Sequence, residues 1–196
     1  DEVIRRVLPL HREMAQSGQI EISTTPYYHP ILPLLCNMES AREAMPDVPM
    51  PDRLSDMRPD ASTQAQRAVE FHRRAFGAAP RGMWPAEGSV SQEVLPVLAA
   101  AGIRWIATDE GILWRSAQVD LSRDGRRVLN NPDGLYQPYA TSGGEGSPAI
   151  VFRDRLLADS IGFEYHHGDN RAGADDFVNR VLEGARRCQG RPRLIS

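Results

Sequence analysis

The sequence contains little cysteine and no lysine. Cys36 and Cys188 are its two cysteines, and they lie far apart without a CxxC spacing or a neighbouring histidine cluster. This pattern excludes the usual signatures of a zinc site and predicts two buried thiols. Every basic residue apart from histidine is an arginine, and the arginines are spread along the chain. We interpret the missing lysine as a compositional bias of the source that says nothing about function.

The chain also lacks a strong net charge and long apolar runs. Its 23 basic and 26 acidic residues leave a formal net charge of −3, which excludes the basic surface that nucleic-acid binding requires. No stretch approaches the roughly 20 apolar residues of a membrane helix, and no secretion signal opens the chain. We therefore expect a soluble, cytoplasmic protein with no nucleic-acid or membrane partner, and its 196 residues suit one domain.

Predicted strands and helices alternate along the chain. Apolar spacing predicts helices over 2–16, from Asp60 or Ser62 to Phe76, from a Ser89/Gln92 capping box to Gly102, and over 174–188. The predicted strands cover residues 19–24, 82–84, 103–108, 149–153 and the start of one at 194–195. Residues 26–59 and 115–148 are predicted to be long loops, the second with a hairpin around Asp124-Gly125. Such alternation indicates parallel strands, in an α/β barrel or a doubly wound sheet.

Three of the predicted strands end on or near a carboxylate, where both of these folds place their function. The residues are Glu87 after 82–84, Asp109 and Glu110 after 103–108, and Asp154 after 149–153. A glycosidase needs one carboxylate to attack the anomeric carbon and a second one, protonated, to donate to the leaving oxygen. Each acid could instead cap the next helix. Glu87 fits capping least, because Ser89 is available as a cap.

Several segments resemble one family of enzymes. Gly82-Met83-Trp84-Pro85-Ala86-Glu87 resembles the nucleophile region of glycoside hydrolase family 57, whose pattern is Trp-x-Ala-Glu. Residues 18–22 and 26–33, Gly-Gln-Ile-Glu-Ile and Pro-Tyr-Tyr-His-Pro-Ile-Leu-Pro, resemble the second signature region of its amylopullulanase-like branch. Residues 152–163 resemble the fourth region, which supplies the acid/base aspartate. The three matches follow the family's order and span nearly the whole chain.

The resemblance implies a fold and an activity. The fold would be an incomplete (β/α)7 barrel, a distorted TIM-like barrel, with residues 1–196 forming its central part. The family's opening His-Gln-Pro strand and closing Leu-Asp-Gly-Glu type region would lie outside these residues. The implied activity is that of a retaining glycoside hydrolase or transglycosylase acting on α-1,4/α-1,6-linked glucans through a covalent glycosyl-enzyme. An α-glucan or maltooligosaccharide would be the substrate, and no cofactor is expected.

The resemblance also assigns roles to residues. Glu87 would be the nucleophile, and an aspartate within 154–159 the acid/base. We prefer Asp154 to Asp159 for the second role, because Asp154 directly ends a predicted buried strand. Glu21, His29 and Trp84 would line the sugar subsites.

Some residues keep two interpretations. His29 could equally be a loop histidine bonded to the backbone, and Asp109 and Glu110 could bind substrate or serve the next helix, with Asp109 as its cap. Trp105 is expected to pack against neighbouring residues, not to stack on a sugar. Tyr27 and Tyr28 could do either.

Two other functions compete with this interpretation. A metal-dependent polysaccharide deacetylase would need a His/Asp metal set at strand ends, which the sequence does not show. His166 and His167 lack an identifiable third ligand, so we predict no metal. A carbohydrate-binding or regulatory module would keep the fold without turnover, but the candidate carboxylates are present. Within the family, hydrolases and transferases share the double displacement and differ in which acceptor reaches the intermediate.

Overall fold

The computed structural model describes residues 2–53, 55–144, 146–188 and 193–195. The chain divides into two compact units. Unit 1 comprises Asp1–Ile106 and Ala140–Ala149, and unit 2 comprises Ala107–Tyr139 and Ile150–Ser196. None of the helices in the described ranges combines the length and the apolar character needed to cross a membrane.

Helices make up most of the regular structure. In chain order they are α1 Glu2–Gln16, α2 Leu32–Cys36, α3 Ala41–Ala44, α4 Arg58–Phe76, α5 Val94–Ala100, α6 Glu110–Ala117, α7 Pro132–Leu135, α8 Arg155–Asp159 and α9 Asn170–Arg187. Short 3-10 turns occupy Met38–Ser40, Ala86–Gly88 and Tyr165–His167, and a π turn occupies Ser160–Glu164.

The strands are β1 Gly82–Met83, β2 Trp105–Asp109 and β3 Ala149–Arg153, and they form a three-stranded sheet in the order β1-β2-β3. β1 pairs in parallel with β2, with Gly82 opposite Trp105 and Met83 opposite Ile106. Thr24 extends this pairing by a parallel bridge to Met83. The Trp84 N–H donates to the Thr24 carbonyl at 2.8 Å, and the Thr24 N–H donates to the Gly82 carbonyl at 3.1 Å. Residues that follow Thr24 and Met83 therefore leave the sheet at its carboxyl end.

Most of the predicted strands are confirmed. The predicted strands at 82–84, 103–108 and 149–153 correspond to β1, β2 and β3. The one predicted at 19–24 is reduced to the bridge at Thr24. The one predicted to start at 194–195 is wrong for these residues, which are irregular, and the Leu194 N–H donates to the Tyr136 carbonyl at 3.2 Å. In the described ranges the strands form an open sheet, so the mixed α/β class is confirmed while the barrel stays an expectation.

The predicted helices are confirmed, but three of their predicted starts are wrong. α9 begins at Asn170, four residues before the predicted start at 174, and Asp169 caps it. α4 ends at Gly77, in the left-handed conformation expected there (φ 87), yet it begins at Arg58 after Met57, without a side-chain cap. α5 begins at Val94, not at the expected capping box. The Ser89 hydroxyl donates instead to the Ala86 carbonyl at 2.6 Å, because the chain forms a tight turn there first.

Both long loops contain short helices, and the one in residues 115–148 is α7. Residues 26–59 hold α2 and α3, and the apolar helix α2 packs against α4. The predicted hairpin around Asp124-Gly125 is confirmed by an antiparallel bridge between Arg123 and Leu129.

Each unit has its own apolar core. In unit 1, fully buried side chains come from β1, β2 and their flanking helices: Leu32, Met83, Val94, Leu98, Ile103 and Ile106. In unit 2, one cluster of buried residues joins α6, α7 and β3: Leu113, Leu129, Leu135, Tyr136 and Phe152. These cores fix the strands whose ends carry the candidate carboxylates.

The Trp105 indole lies directly over Gly82. A Cβ atom added to Gly82 would stand 2.0 Å from the ring, far inside van der Waals contact. The indole Nε1 donates to Glu21 at 2.8 Å, which fixes the ring in this position. The expectation that Trp105 packs is therefore confirmed.

We expect Gly82→Ala to lower the free energy of unfolding by about 1–3 kcal/mol, because the added methyl group overpacks against Trp105. Urea denaturation followed by circular dichroism measures the change. Gly125→Ala is the matched control, because its added Cβ would meet nothing within 4 Å. Equal stability of the two variants would contradict the packing described here.

Candidate active site

Glu87 is presented on a tight turn at the carboxyl end of β1. Its backbone is left-handed (φ 56, ψ 18), a conformation that few residues other than glycine adopt. The turn is closed by the Gly88 N–H donating to the Pro85 carbonyl at 2.8 Å and the Ser89 N–H donating to the Ala86 carbonyl at 3.0 Å. Pro85, Ala86 and Gly88 are buried, whereas 75% of the Glu87 side chain is exposed. The buried residues of the turn thus fix the backbone of Glu87 while its carboxylate stays accessible.

His29 lies on a second turn, which follows the bridge at Thr24. Its N–H donates to the Pro26 carbonyl at 2.9 Å, and its backbone is also left-handed (φ 58). α4 holds this turn through Gln64, whose side-chain oxygen accepts from the Tyr28 N–H at 2.9 Å. The Gln64 carbonyl also accepts from the Tyr27 N–H at 3.3 Å.

The two turns meet at one hydrogen bond. His29 Nε2 lies 3.0 Å from Glu87 Oε1. Trp84, half-buried, directly precedes the Glu87 turn. Unit 1 therefore brings together three residues that the sequence had placed in a site, and the interpretation of His29 as a histidine bonded only to the backbone is wrong.

Aromatic side chains cluster on the same turn as His29. The Tyr27 ring makes edge contacts with Tyr28 at 4.7 Å and Phe71 at 5.8 Å between centroids. Tyr28 is 71% exposed. Tyr27 thus contributes to packing, and Tyr28 presents an accessible ring.

The structure does not bring Glu21 to this group of residues. Glu21 precedes Thr24 and accepts hydrogen bonds from Arg81, just before β1, and from Trp105, which opens β2. These residues lie at the amino ends of the strands, opposite to the turns that carry His29 and Glu87. The contacts give Glu21 a role in holding the strands together, and its contact with a sugar stays a prediction.

In unit 2, the carboxylates after β2 are engaged by other protein groups. Asp109 caps α6 by accepting from the Gly111 N–H at 2.8 Å, and its other oxygen accepts from Arg153 Nε at 2.9 Å. Glu110 is buried and accepts from Arg123 Nη2 at 2.6 Å. Of the two roles left open for this pair, their contacts favour the structural one.

Asp154 is at the centre of a buried polar network. Its side chain is 4% exposed and accepts from Arg123 Nη2 at 3.0 Å, from the Tyr136 hydroxyl at 2.8 Å and from the Leu157 N–H at 3.1 Å. The last bond makes it the cap of α8. Every one of these partners donates, so both oxygens of Asp154 are engaged as acceptors.

Two of the partners of Asp154 have raised pKa values, which keep them protonated as donors. Burial and the adjacent Asp154 carboxylate raise the pKa of Tyr136, so its hydroxyl stays protonated and donates. Burial alone would lower the pKa of Arg123, but its bonds to Glu110 and Asp154 outweigh this effect and raise it. Sequence analysis missed both residues, since Arg123 lies in a loop and Tyr136 follows a short helix, with no local pattern that marks a partner of Asp154.

Asp159, the other candidate acid/base, is the last residue of α8 and is more accessible. Its side chain is 34% exposed, and its oxygen lies 3.9 Å from Arg153 Nη2. This distance is an ion-pair contact without a hydrogen bond.

No three potential ligand side chains among His, Cys, Asp and Glu converge on a metal-sized site in the described ranges. The rings of His166 and His167 contact each other, with 3.7 Å between centroids.

A family model now gives these turns and carboxylates a context. The model for glycosyl hydrolase family 57 matches residues 1–195, nearly the whole chain. The chain belongs to glycosyl hydrolase family 57. The resemblance drawn from the Trp-Pro-Ala-Glu segment is thereby confirmed.

Curated and solved proteins are similar to parts of the chain. The chain is 29% identical over 97 residues to alpha-amylase 1 of Dictyoglomus thermophilum. The aligned segment makes up 50% of this chain and 11% of that enzyme. The 4-alpha-glucanotransferase of Thermococcus litoralis matches 80% of the chain with 22% identity and a TM-score of 0.55. The alpha-amylase AmyC of Thermotoga maritima matches 79% with 19% identity and a TM-score of 0.53. The chain spans 19% and 24% of those two structures, so their likeness concerns the fold of this part.

We expect Asp154→Asn to lower the free energy of unfolding by about 3 kcal/mol, because it removes the buried carboxylate that faces the partly buried Arg123. Asp159→Asn, at the other end of α8, is the matched control and should change stability by less than about 0.5 kcal/mol. Chemical denaturation of both variants measures the difference. A stable Asp154→Asn protein would show that the network is not needed for folding.

Proposed function

We propose that the chain forms part of the catalytic domain of a retaining glycoside hydrolase or transglycosylase acting on α-1,4/α-1,6-linked glucans, with Glu87 as its nucleophile. The observation that carries the proposal is the position of Glu87. An accessible carboxylate stands on a rigid left-handed turn at the carboxyl end of β1. Left-handed residues other than glycine cost energy and cluster at functional sites.

The environment of Glu87 suits nucleophilic attack better than that of the carboxylates in unit 2. Both oxygens of Asp154 accept hydrogen bonds, one from Arg123 and the other from Tyr136. Glu110 accepts from Arg123 as well, and its side chain is only 4% exposed. Glu87 instead contacts an imidazole through one oxygen and is mostly exposed. A nucleophile must be both ionised and reachable by the anomeric carbon, and Glu87 meets the second condition while Asp154 does not.

The proposed reaction is a double displacement. A Glu87 oxygen attacks the anomeric carbon, the glycosidic bond breaks, and the leaving oxygen takes a proton from the general acid. The resulting glycosyl ester is then attacked by water, which gives hydrolysis, or by a glucan hydroxyl, which gives transfer. The same acid/base takes a proton from this acceptor, and the bonding electrons return to the Glu87 carboxylate. Two inversions at the anomeric carbon retain its configuration.

The substrate class is proposed from the relatives. The similar proteins include two α-amylases, a 4-α-glucanotransferase, and a branching enzyme from Pyrococcus horikoshii at 18% identity and a TM-score of 0.52. We propose an α-glucan or maltooligosaccharide substrate, for which Trp84 and the exposed Tyr28 ring offer faces for sugar stacking.

For the general acid/base, the contacts favour Asp159 over the initially preferred Asp154. An acid must give a proton to the leaving oxygen, whereas the two Asp154 oxygens already accept three hydrogen bonds, from Arg123, Tyr136 and the Leu157 N–H. Asp159 keeps an accessible carboxylate and lies within the segment that resembles the fourth family region. We therefore propose Asp159 as the candidate within this chain.

We expect Glu87→Gln in the full-length protein to lower kcat on maltooligosaccharides by about three orders of magnitude or more, because an amide cannot form the glycosyl ester. Reducing-sugar release measures kcat, and ¹H NMR of the first product anomer tests retention. Glu70→Gln, a change at an exposed glutamate on α4, is the control and should leave kcat unchanged. Glu87 is not the nucleophile if its variant keeps more than a few per cent of wild-type kcat.

We expect Asp159→Asn to slow the cleavage of maltooligosaccharides by about 10²- to 10⁴-fold, the usual contribution of a general acid. Cleavage of a nitrophenyl glycoside should suffer much less, because nitrophenolate leaves without protonation. Steady-state kinetics on the two substrates measure the contrast. Equal activity of Asp159→Asn and wild type on both substrates would exclude Asp159 as the acid/base.

A further inference from the structure

We infer that His29 is a positioning residue for the nucleophile: its imidazole holds one oxygen of Glu87 and stabilises the negative charge that returns there when the glycosyl-enzyme breaks down. The inference rests on the proposed role of Glu87. It differs from the sugar-subsite role that the sequence suggested for His29, because the structure shows its ring nitrogen bonded to the carboxylate itself.

The direction of this hydrogen bond follows from the chemistry of its partners. An ionised carboxylate can only accept, so the proton lies on Nε2 of His29 and the imidazole donates to Oε1 at 3.0 Å. The bond fixes the rotation of the carboxylate group and leaves Oε2 as the oxygen for attack. The same hydrogen bond thus orients the Glu87 carboxylate and stabilises its negative charge.

The contact is not explained by a need for stability. The His29 and Glu87 side chains are 53% and 75% exposed, and exposed pairs of this kind add little to the free energy of folding. Both residues nevertheless adopt left-handed backbone conformations, with φ of 58 and 56. Strain at both partners of an exposed contact indicates that the contact serves function.

The backbone around His29 is fixed independently of Glu87. The turn that begins at Pro26 closes on the His29 N–H, and Gln64 of α4 binds the N–H groups of Tyr27 and Tyr28. The parallel bridge at Thr24 anchors the segment to β1. The imidazole is therefore presented by a preformed support, as preorganised stabilisation of a developing charge requires.

The second half of the reaction is where this donor acts most. In the glycosyl-enzyme, Oε2 is bonded to the anomeric carbon and Oε1 is a carbonyl oxygen. When water or a glucan hydroxyl attacks that carbon, the bond to Oε2 breaks, its electron pair returns to Glu87, and the charge spreads over both oxygens. A hydrogen bond to Oε1 is stronger to this carboxylate than to the ester, so it lowers the barrier to breakdown.

Three substitutions of His29 in the full-length protein distinguish the loss of its hydrogen-bond donor from a change in the backbone conformation at this position. His29→Ala removes the imidazole. His29→Asn keeps a residue that tolerates the left-handed conformation, but its amide nitrogen takes the place of Nδ1 and does not reach Glu87. His29→Gln places an amide nitrogen near the position of Nε2 and restores a donor.

We expect His29→Ala and His29→Asn to lower kcat on maltooligosaccharides by about 10- to 100-fold, the loss typical of a hydrogen bond to a charged group. KM should fall together with kcat, because the glycosyl-enzyme accumulates when its breakdown limits turnover. His29→Gln should recover most of this loss. On a nitrophenyl maltooligosaccharide, formation of the ester is fast, so stopped-flow absorbance of His29→Ala should show a burst of nitrophenolate stoichiometric with enzyme. A merely structural role would not produce that burst.

Other results would overturn the inference. Wild-type kcat in His29→Ala would mean that the hydrogen bond is dispensable, and a raised KM with unchanged kcat would assign His29 to sugar binding. A lowered kcat without a burst would exclude the charge-stabilising role in breakdown. Each conclusion applies when Glu87→Gln is inactive in the same assay. If Glu87→Gln is active, the proposed function itself fails.

Discussion

The parallel pairing of Thr24 with Met83 is the constraint on which the candidate site depends. The backbone bonds between the Thr24 segment and β1 send both chains out of the sheet at the same end. The two turns that follow therefore meet, and His29 contacts Glu87 although 58 positions separate them in sequence. Without this pairing, each turn would still form through its own hydrogen bonds, but the imidazole and the carboxylate would have no fixed relation.

A carboxylate at the end of a strand can serve chemistry or structure, and the groups around it decide which. Asp154 is surrounded by donors in a buried site, where an ion without partners would be costly. Its charge is used to hold Arg123 and to start α8. Glu87 is displayed to solvent by buried neighbours and has an imidazole as its partner. The same residue chemistry thus supports the fold of unit 2 and the proposed catalysis in unit 1.

Sequence patterns found the elements more reliably than their ends. The apolar segments that became β1, β2 and β3 were identifiable because they lie between turn and helix signals. The Ser89 cap was wrong because the side chain of this residue bonds within the preceding turn, an alternative that serine always offers. Glu21 was placed near the sugar from its motif, but its position at the amino end of the strands directs it to Arg81 and Trp105.

The sequence by itself determined the family, the alternation of strands and helices, and Glu87 as the residue at the end of β1, since these depend on local patterns and short motifs. Only the tertiary structure decided what each carboxylate contacts. The Arg123 network around Asp154 and the bond between His29 and Glu87 join residues far apart in the chain. Such contacts arise from strand pairing and burial, which no local pattern encodes. They distinguish the exposed carboxylate of Glu87 from the Asp154 carboxylate, which is paired with Arg123.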